Sequence, residues 1–130
     1  MRKLKIYLSG AITGRENYKE EFEYAKIRIK DFEAKNNKKT DKEKIKLDVI
    51  VPCHYYLNKT GKWEDYLKND IKMLVDCDCL IDIENGSENS KGAMLEKMIC
   101  ISLGIPVVSL SSFLKGYPIY RYTTTRLYIK

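Results

Sequence analysis

Within one short run, Ser90-Lys91-Gly92-Ala93-Met94-Leu95-Glu96, the chain offers a hydroxyl, two small residues and a carboxylate at helical spacing. Glu96 follows Gly92 by four positions and Ala93 by three, and helical side chains lean toward the N-terminus. On a helix its carboxylate therefore overhangs nearly bare backbone. A ligand can rest there against the carboxylate, while the unpaired N–H groups of a helix start attract an anion. A carboxylate for chemistry beside a seat for a phosphate suggests a sugar phosphate. The same pattern also fits a capped helix that packs small residues on a sheet, with Ser90 as its cap.

These residues need elements to hold them. Residues 4–9 predict a buried strand, and Gly10-Ala11-Ile12-Thr13-Gly14 a glycine-bearing turn into a helix over about 17–35 with Phe22, Ala25, Ile29 and Phe32 on its apolar face. A polar stretch over 36–42 reads as a mobile surface loop before a second strand at 47–52 that ends at proline. A helix over about 63–75 sets Trp63, Tyr66 and Asp70 on one side and Leu67, Ile71 and Leu74 on a neighbouring one. A third strand at 79–83, a helix from about 90 to 103 closed by Gly104 and a fourth strand at 105–110 complete a β–α alternation. That alternation predicts an α/β fold, a flavodoxin- or Rossmann-like three-layer sandwich on a parallel sheet of four to five strands. Residues 111–130 form a tail, either a last strand or an arm onto a neighbouring subunit.

In an open sheet of this kind ligands bind beyond the carboxyl ends of the strands. The loops at 9–16, 52–62 and 84–91 should converge there. They bring together Tyr7, Ser9, Gly10 and Gly14, the single histidine His54, and the segment from Ser87 through Ser90 and Gly92 to Glu96. Asp78 and Asp82, near the third strand, either touch this site or cap turns.

Length and composition set bounds on the rest. At 130 residues the chain is expected to form one domain over 1–130, with no membrane span and no signal peptide, and so to be cytoplasmic. Cys53, Cys77, Cys79 and Cys100 have neither zinc spacing nor the density of a disulfide scaffold, which predicts reduced thiols and no metal or other cofactor. The net charge of +6 comes mainly from residues 1–48, where lysine and glutamate alternate along a helix and a polar loop with no recognisable nucleic-acid motif and no set of aromatic stacking groups on the same face. A solvated surface accounts for it, and no nucleic-acid partner is expected. Apolar residues nearly all round helix 90–103 predict a homo-oligomer, most simply a dimer.

Tyr7-Leu8-Ser9-Gly10, Asn69-Asp70-Ile71 and Ser90-x-Gly92-Ala93-x-x-Glu96, in this order and at these separations, resemble the nucleoside 2-deoxyribosyltransferase family and its small relatives over roughly residues 4–110. The resemblance implies that Glu96 attacks the anomeric carbon, that Tyr7 positions it and that Asp70 works near the leaving base. Transferases of free nucleosides in that family generally carry an acidic residue at the position of Ser90. The branch that hydrolyses nucleoside 5′-monophosphates has a serine there, which tilts the expectation toward a nucleotide.

The chemistry stands apart from the resemblance. Cleaving an N-glycosidic bond passes through a cation-like sugar that an ionised carboxylate can stabilise and trap. Glu96 can do that, and Asp70 can offer a proton or a hydrogen bond to the departing base. Ser87, Ser90 and the helix-start N–H groups would receive a 5′-phosphate. His54 is a further candidate contact. The expected activity is an N-glycosidase acting on a small-molecule nucleotide or nucleoside, as hydrolase or transferase. The alternative is a nucleotide-binding module of the same fold with little turnover.

Overall fold

The computed structural model describes residues 1–52 and 62–116. Four strands, β1 (Arg2–Ser9), β2 (Ile45–Ile50), β3 (Cys79–Asp82) and β4 (Val107–Ser109), form one all-parallel sheet in the order β2-β1-β3-β4. Between them run α1 (Tyr18–Lys38), α2 (Trp63–Leu74) and α3 (Lys91–Leu103), and a short α4 (Leu110–Phe113) follows β4. This is the α/β sandwich that the β–α alternation requires, since parallel neighbours can be joined only by crossovers.

The alternation of β1 divides the core. Leu4, Ile6 and Leu8 pack with Phe22, Ala25 and Ile29 of α1, while Tyr7 turns to the other face with Leu74, Leu80 and Cys100, on the side of α2 and α3. Phe32 is only partly buried and meets Phe113 of α4 with ring centroids 5.3 Å apart. Helix α3 ends where expected, because Gly104 takes a left-handed φ of 72° and its N–H returns to the last turn.

Two expectations need correction. Residues 36–38 belong to α1, and Asn36 is buried and donates through Nδ2 to the Glu43 carbonyl at 2.8 Å. Asn37 accepts from the Ile45 N–H and donates to the Ile45 carbonyl, each at 2.9 Å, while Glu33 accepts from the Leu47 N–H and Lys30 donates to the Leu47 carbonyl. Side chains of α1 thus stand in for a neighbouring strand along the outer edge of β2, which is why so polar a segment is ordered. The fourth strand is also shorter than 105–110. The Ser109 hydroxyl accepts from the Ser112 N–H at 3.2 Å, and this cap starts α4 at Leu110. The expectations for His54 and for most of the tail (117–130) fall on residues outside those described. No helix among the described residues is long and apolar enough to cross a membrane.

Candidate active site

Tyr7 and Ser9 lie two residues apart on β1, so both side chains leave the sheet on the face covered by α2 and α3. Glu96 comes down from α3 to meet them. Tyr7 Oη donates to Glu96 Oε2 at 2.5 Å, and Ser9 Oγ donates to Oε1 at 2.8 Å. The carboxylate is only 4% exposed. Burial pushes it up to about 7, the Tyr7 and Ser9 hydroxyls pull it back down, and the nearby Asp70 carboxylate adds to the rise. Each carboxylate oxygen is held by one donor, which fixes the plane of the group and leaves its remaining lone pairs for a ligand.

Glu96 forms part of the wall of a cavity of about 590 Å³. Its other walls are the β1 loop (Gly10 to Thr13, with Arg15), Pro52, one face of α2 (Trp63, Tyr66, Leu67 and Asp70), Gly86, Asn89 and the start of α3 (Ser90 to Ala93). A cavity of this size suits a small organic ligand. The wall is aromatic along α2 and cationic at Arg15 and Lys91. Lys91 Nζ sits 5.2 Å from the centre of the Trp63 ring, and Arg15 is held by Glu21 through Nε–Oε1 and Nη2–Oε2 contacts of 2.9 and 2.6 Å.

Asn85 sets the position of the β1 loop. It accepts from the Ala11 N–H at 2.8 Å, donates to the Ala11 carbonyl at 2.9 Å and reaches Glu21 Oε1 at 3.1 Å. A Cβ on Gly10 would lie 2.7 Å from Ile83 Cγ1 and 2.8 Å from Asn85 Oδ1, so only glycine lets the two loops close on one another.

Of the residues singled out in the sequence, Asp70, Gly10, Ser90, Gly92 and Glu96 are on the cavity wall, and Tyr7 stands behind it holding Glu96. The Ser90 hydroxyl accepts from the Ala93 N–H at 3.3 Å as the cap of α3, and its own proton is still available to a ligand. At Gly92 an added Cβ would make only an ordinary contact with Trp63 at 3.8 Å, so glycine there widens the cavity.

Ser9, Gly14 and Ser87 are not on the wall. The Ser9 hydroxyl is committed to Glu96, and Ser87 is buried and donates to Asp82 Oδ1 at 2.6 Å. Asp82 itself accepts from the Glu84 N–H and from Lys97 Nζ. Burial raises its carboxyl, but these partners together with Ser87 hold it below the usual range. It shapes the β3 loop. Asp78 accepts from the Lys5 N–H at 2.8 Å. Cys77, Cys79 and Cys100 are free and buried, and burial pushes all three thiols up.

Arg15, Lys91 and Asn85 are among the wall and support residues to which the sequence assigned no role. Lys91 opens α3 beside the predicted anion seat and Arg15 directly follows the second glycine of the first loop, so a cation in each of two loops expected to converge was the available signal. Asn85 carried none, because an asparagine in a loop reads as a turn former.

A family model described as Domain of unknown function (DUF4406) matches residues 4–109, most of the chain, and the chain belongs to that family. No curated protein matches it. Among solved structures, a 2-deoxyribosyltransferase from the psychrotolerant bacterium Bacillus psychrosaccharolyticus is similar at 21% identity and a TM-score of 0.56, over 81% of this chain and 70% of that one. A conserved protein from Enterococcus faecalis V583 is similar at 17% identity and a TM-score of 0.57, over 82% of this chain. The match spans 62% of the Enterococcus protein's length. The fold is therefore the one found in a 2-deoxyribosyltransferase.

Proposed function

We propose that this DUF4406 chain is an N-glycosidase that cleaves the N-glycosidic bond of a nucleoside 5′-monophosphate or related nucleotide through Glu96. The observation that carries the reading is the buried carboxylate gripped by Tyr7 and Ser9 at the wall of a cavity that also contains Asp70. A Glu96 oxygen attacks C1′, the bond from C1′ to the base nitrogen breaks, and the base leaves with its electrons and a proton or hydrogen bond from Asp70. Water or a second base then attacks C1′, gives its proton to Asp70 and releases the Glu96 carboxylate. Trp63 and Tyr66 offer faces for the base. Ser90, Arg15 and Lys91 favour a 5′-phosphate, for which an acidic residue at position 90 would be repulsive.

The same reading includes a homodimer. Met94, Leu95, Met98, Ile101 and Leu103 of α3 are all exposed, with Ile101 at 71%. A helix that covered only one sheet would bury such residues or replace them.

A panel of nucleosides and 5′-monophosphates, incubated with and without an acceptor base, tests the function. Free base should appear from at least one 5′-monophosphate faster than from its nucleoside, and Ser90→Asp should narrow that preference. Tight nucleotide binding with no base release from any compound would favour the non-catalytic binding module instead.

A further inference from the structure

A second cavity, of about 500 Å³, opens on the α1 side of the same sheet end. Its wall includes Tyr24 and Arg28 of α1, Glu84 of the β3 loop, and Arg15 and Gly86. Arg15 and Gly86 are also part of the main cavity's wall, so the two spaces meet across this pair. Arg28 lies 5.3 Å over the Tyr24 ring, and among the described residues it pairs with no carboxylate. Tyr24 remains 62% exposed despite that stack. Glu84 is the one described residue other than glycine with a positive φ, 62°, and its Oε1 accepts from the Ser111 N–H at 2.9 Å. A glutamate is thus held in an unfavourable backbone conformation at the rim of the groove.

Resting on the proposed glycosidase site, we infer that the second cavity receives the far half of a longer ligand, a dinucleotide whose two nucleosides are joined by a 5′,5′-diphosphate bridge. The bridge crosses between the cavities at Arg15, where it must share or displace the Glu21 carboxylate that also lines the second cavity, and gains Arg28 as its second cation. The distal base lies on the open side of Tyr24, where stacking needs no particular base. The free oxygen of the Glu84 carboxylate accepts from the distal ribose hydroxyls, for which a strained but fixed acceptor is better than a mobile one. A mononucleotide would fill only the main cavity.

The test compares 5′-monophosphates of adenine, guanine, cytosine and uracil with their symmetric 5′,5′-diphosphate-linked dinucleotides, by calorimetry on the full chain. The preferred dinucleotide should bind about tenfold more tightly than its monophosphate, the gain expected of one stacked base. Tyr24→Ala and Arg28→Ala should each remove most of that gain and leave monophosphate affinity and base release unchanged. Both positions are surface sites of α1, and circular dichroism checks that each variant folds. Equal affinity for the two ligand types, or variants that weaken both alike, would overturn the inference while monophosphate cleavage still stood. Absence of any nucleotide binding would overturn the glycosidase reading as well.

Discussion

Glu96 meets two opposing demands, burial that disfavours its charge and two hydroxyls that favour it, and its behaviour with pH follows from their balance. In the proposed role of nucleophile it would act ionised, so kcat/KM should rise through an acid limb near pH 7, the value to which the site brings this carboxyl. Tyr7→Phe removes a donor that lowers it. The limb should move to higher pH in that variant, and a pH–rate profile reads the shift. Stability should run the other way. The folded-state value is raised above the ordinary 4.5, so the folded protein holds an extra proton between about 4.5 and about 7 and loses stability as pH rises through that window. Glu96→Gln, which keeps the shape without the charge, should therefore be more stable than the wild type at pH 8 and lose that advantage below pH 4.5. Urea denaturation at both pH values checks it. The same variant should lower base release by about a thousandfold or more, since a neutral amide cannot trap the sugar.

At the scale of elements, the site depends on β1 presenting Tyr7 and Ser9 on one face and on Asn85 binding the β1 loop. The sheet depends on α1 closing the edge of β2. Asn37→Ala strips the Ile45 N–H and carbonyl of their side-chain partners and should cost about 1 kcal/mol in urea denaturation. Elements with a strong period were legible in the sequence. Phe22, Ala25 and Ile29 marked the buried face of α1, and Gly104 marked the end of α3. Helical spacing also put Gly92, Ala93 and Glu96 on one face, and all three are on the cavity wall. What could not be read were partnerships across the fold. Ser9 reads as one more residue facing the ligand, because the partner that takes its hydroxyl lies 87 residues away. Asn36 and Asn37 looked like a loop because the Glu43 and Ile45 backbone groups that their amides bind meet them only in the folded chain. Ser109 has the composition of a strand end and acts as a helix cap.

For the whole molecule, an all-parallel sheet gathers the loops after its strands at one end, and this is why residues as distant as Tyr7, Asp70 and Glu96 serve one cavity. The exposed apolar stripe of α3 has consequences at this scale too. Light scattering should give a dimer at micromolar concentration, and Met98→Glu combined with Ile101→Glu should give a folded monomer. Mass spectrometry of the protein quenched during turnover of a 2′-fluoroarabino nucleoside 5′-monophosphate asks whether Glu96 forms a covalent bond to the sugar of a nucleotide. The fluorine slows both displacements, so the intermediate should accumulate as a glycosyl ester of Glu96 that retains the 5′-phosphate, found on the peptide that carries Glu96, and Glu96→Gln should show none. Base release without an adduct, or an adduct on any other residue, would contradict the account.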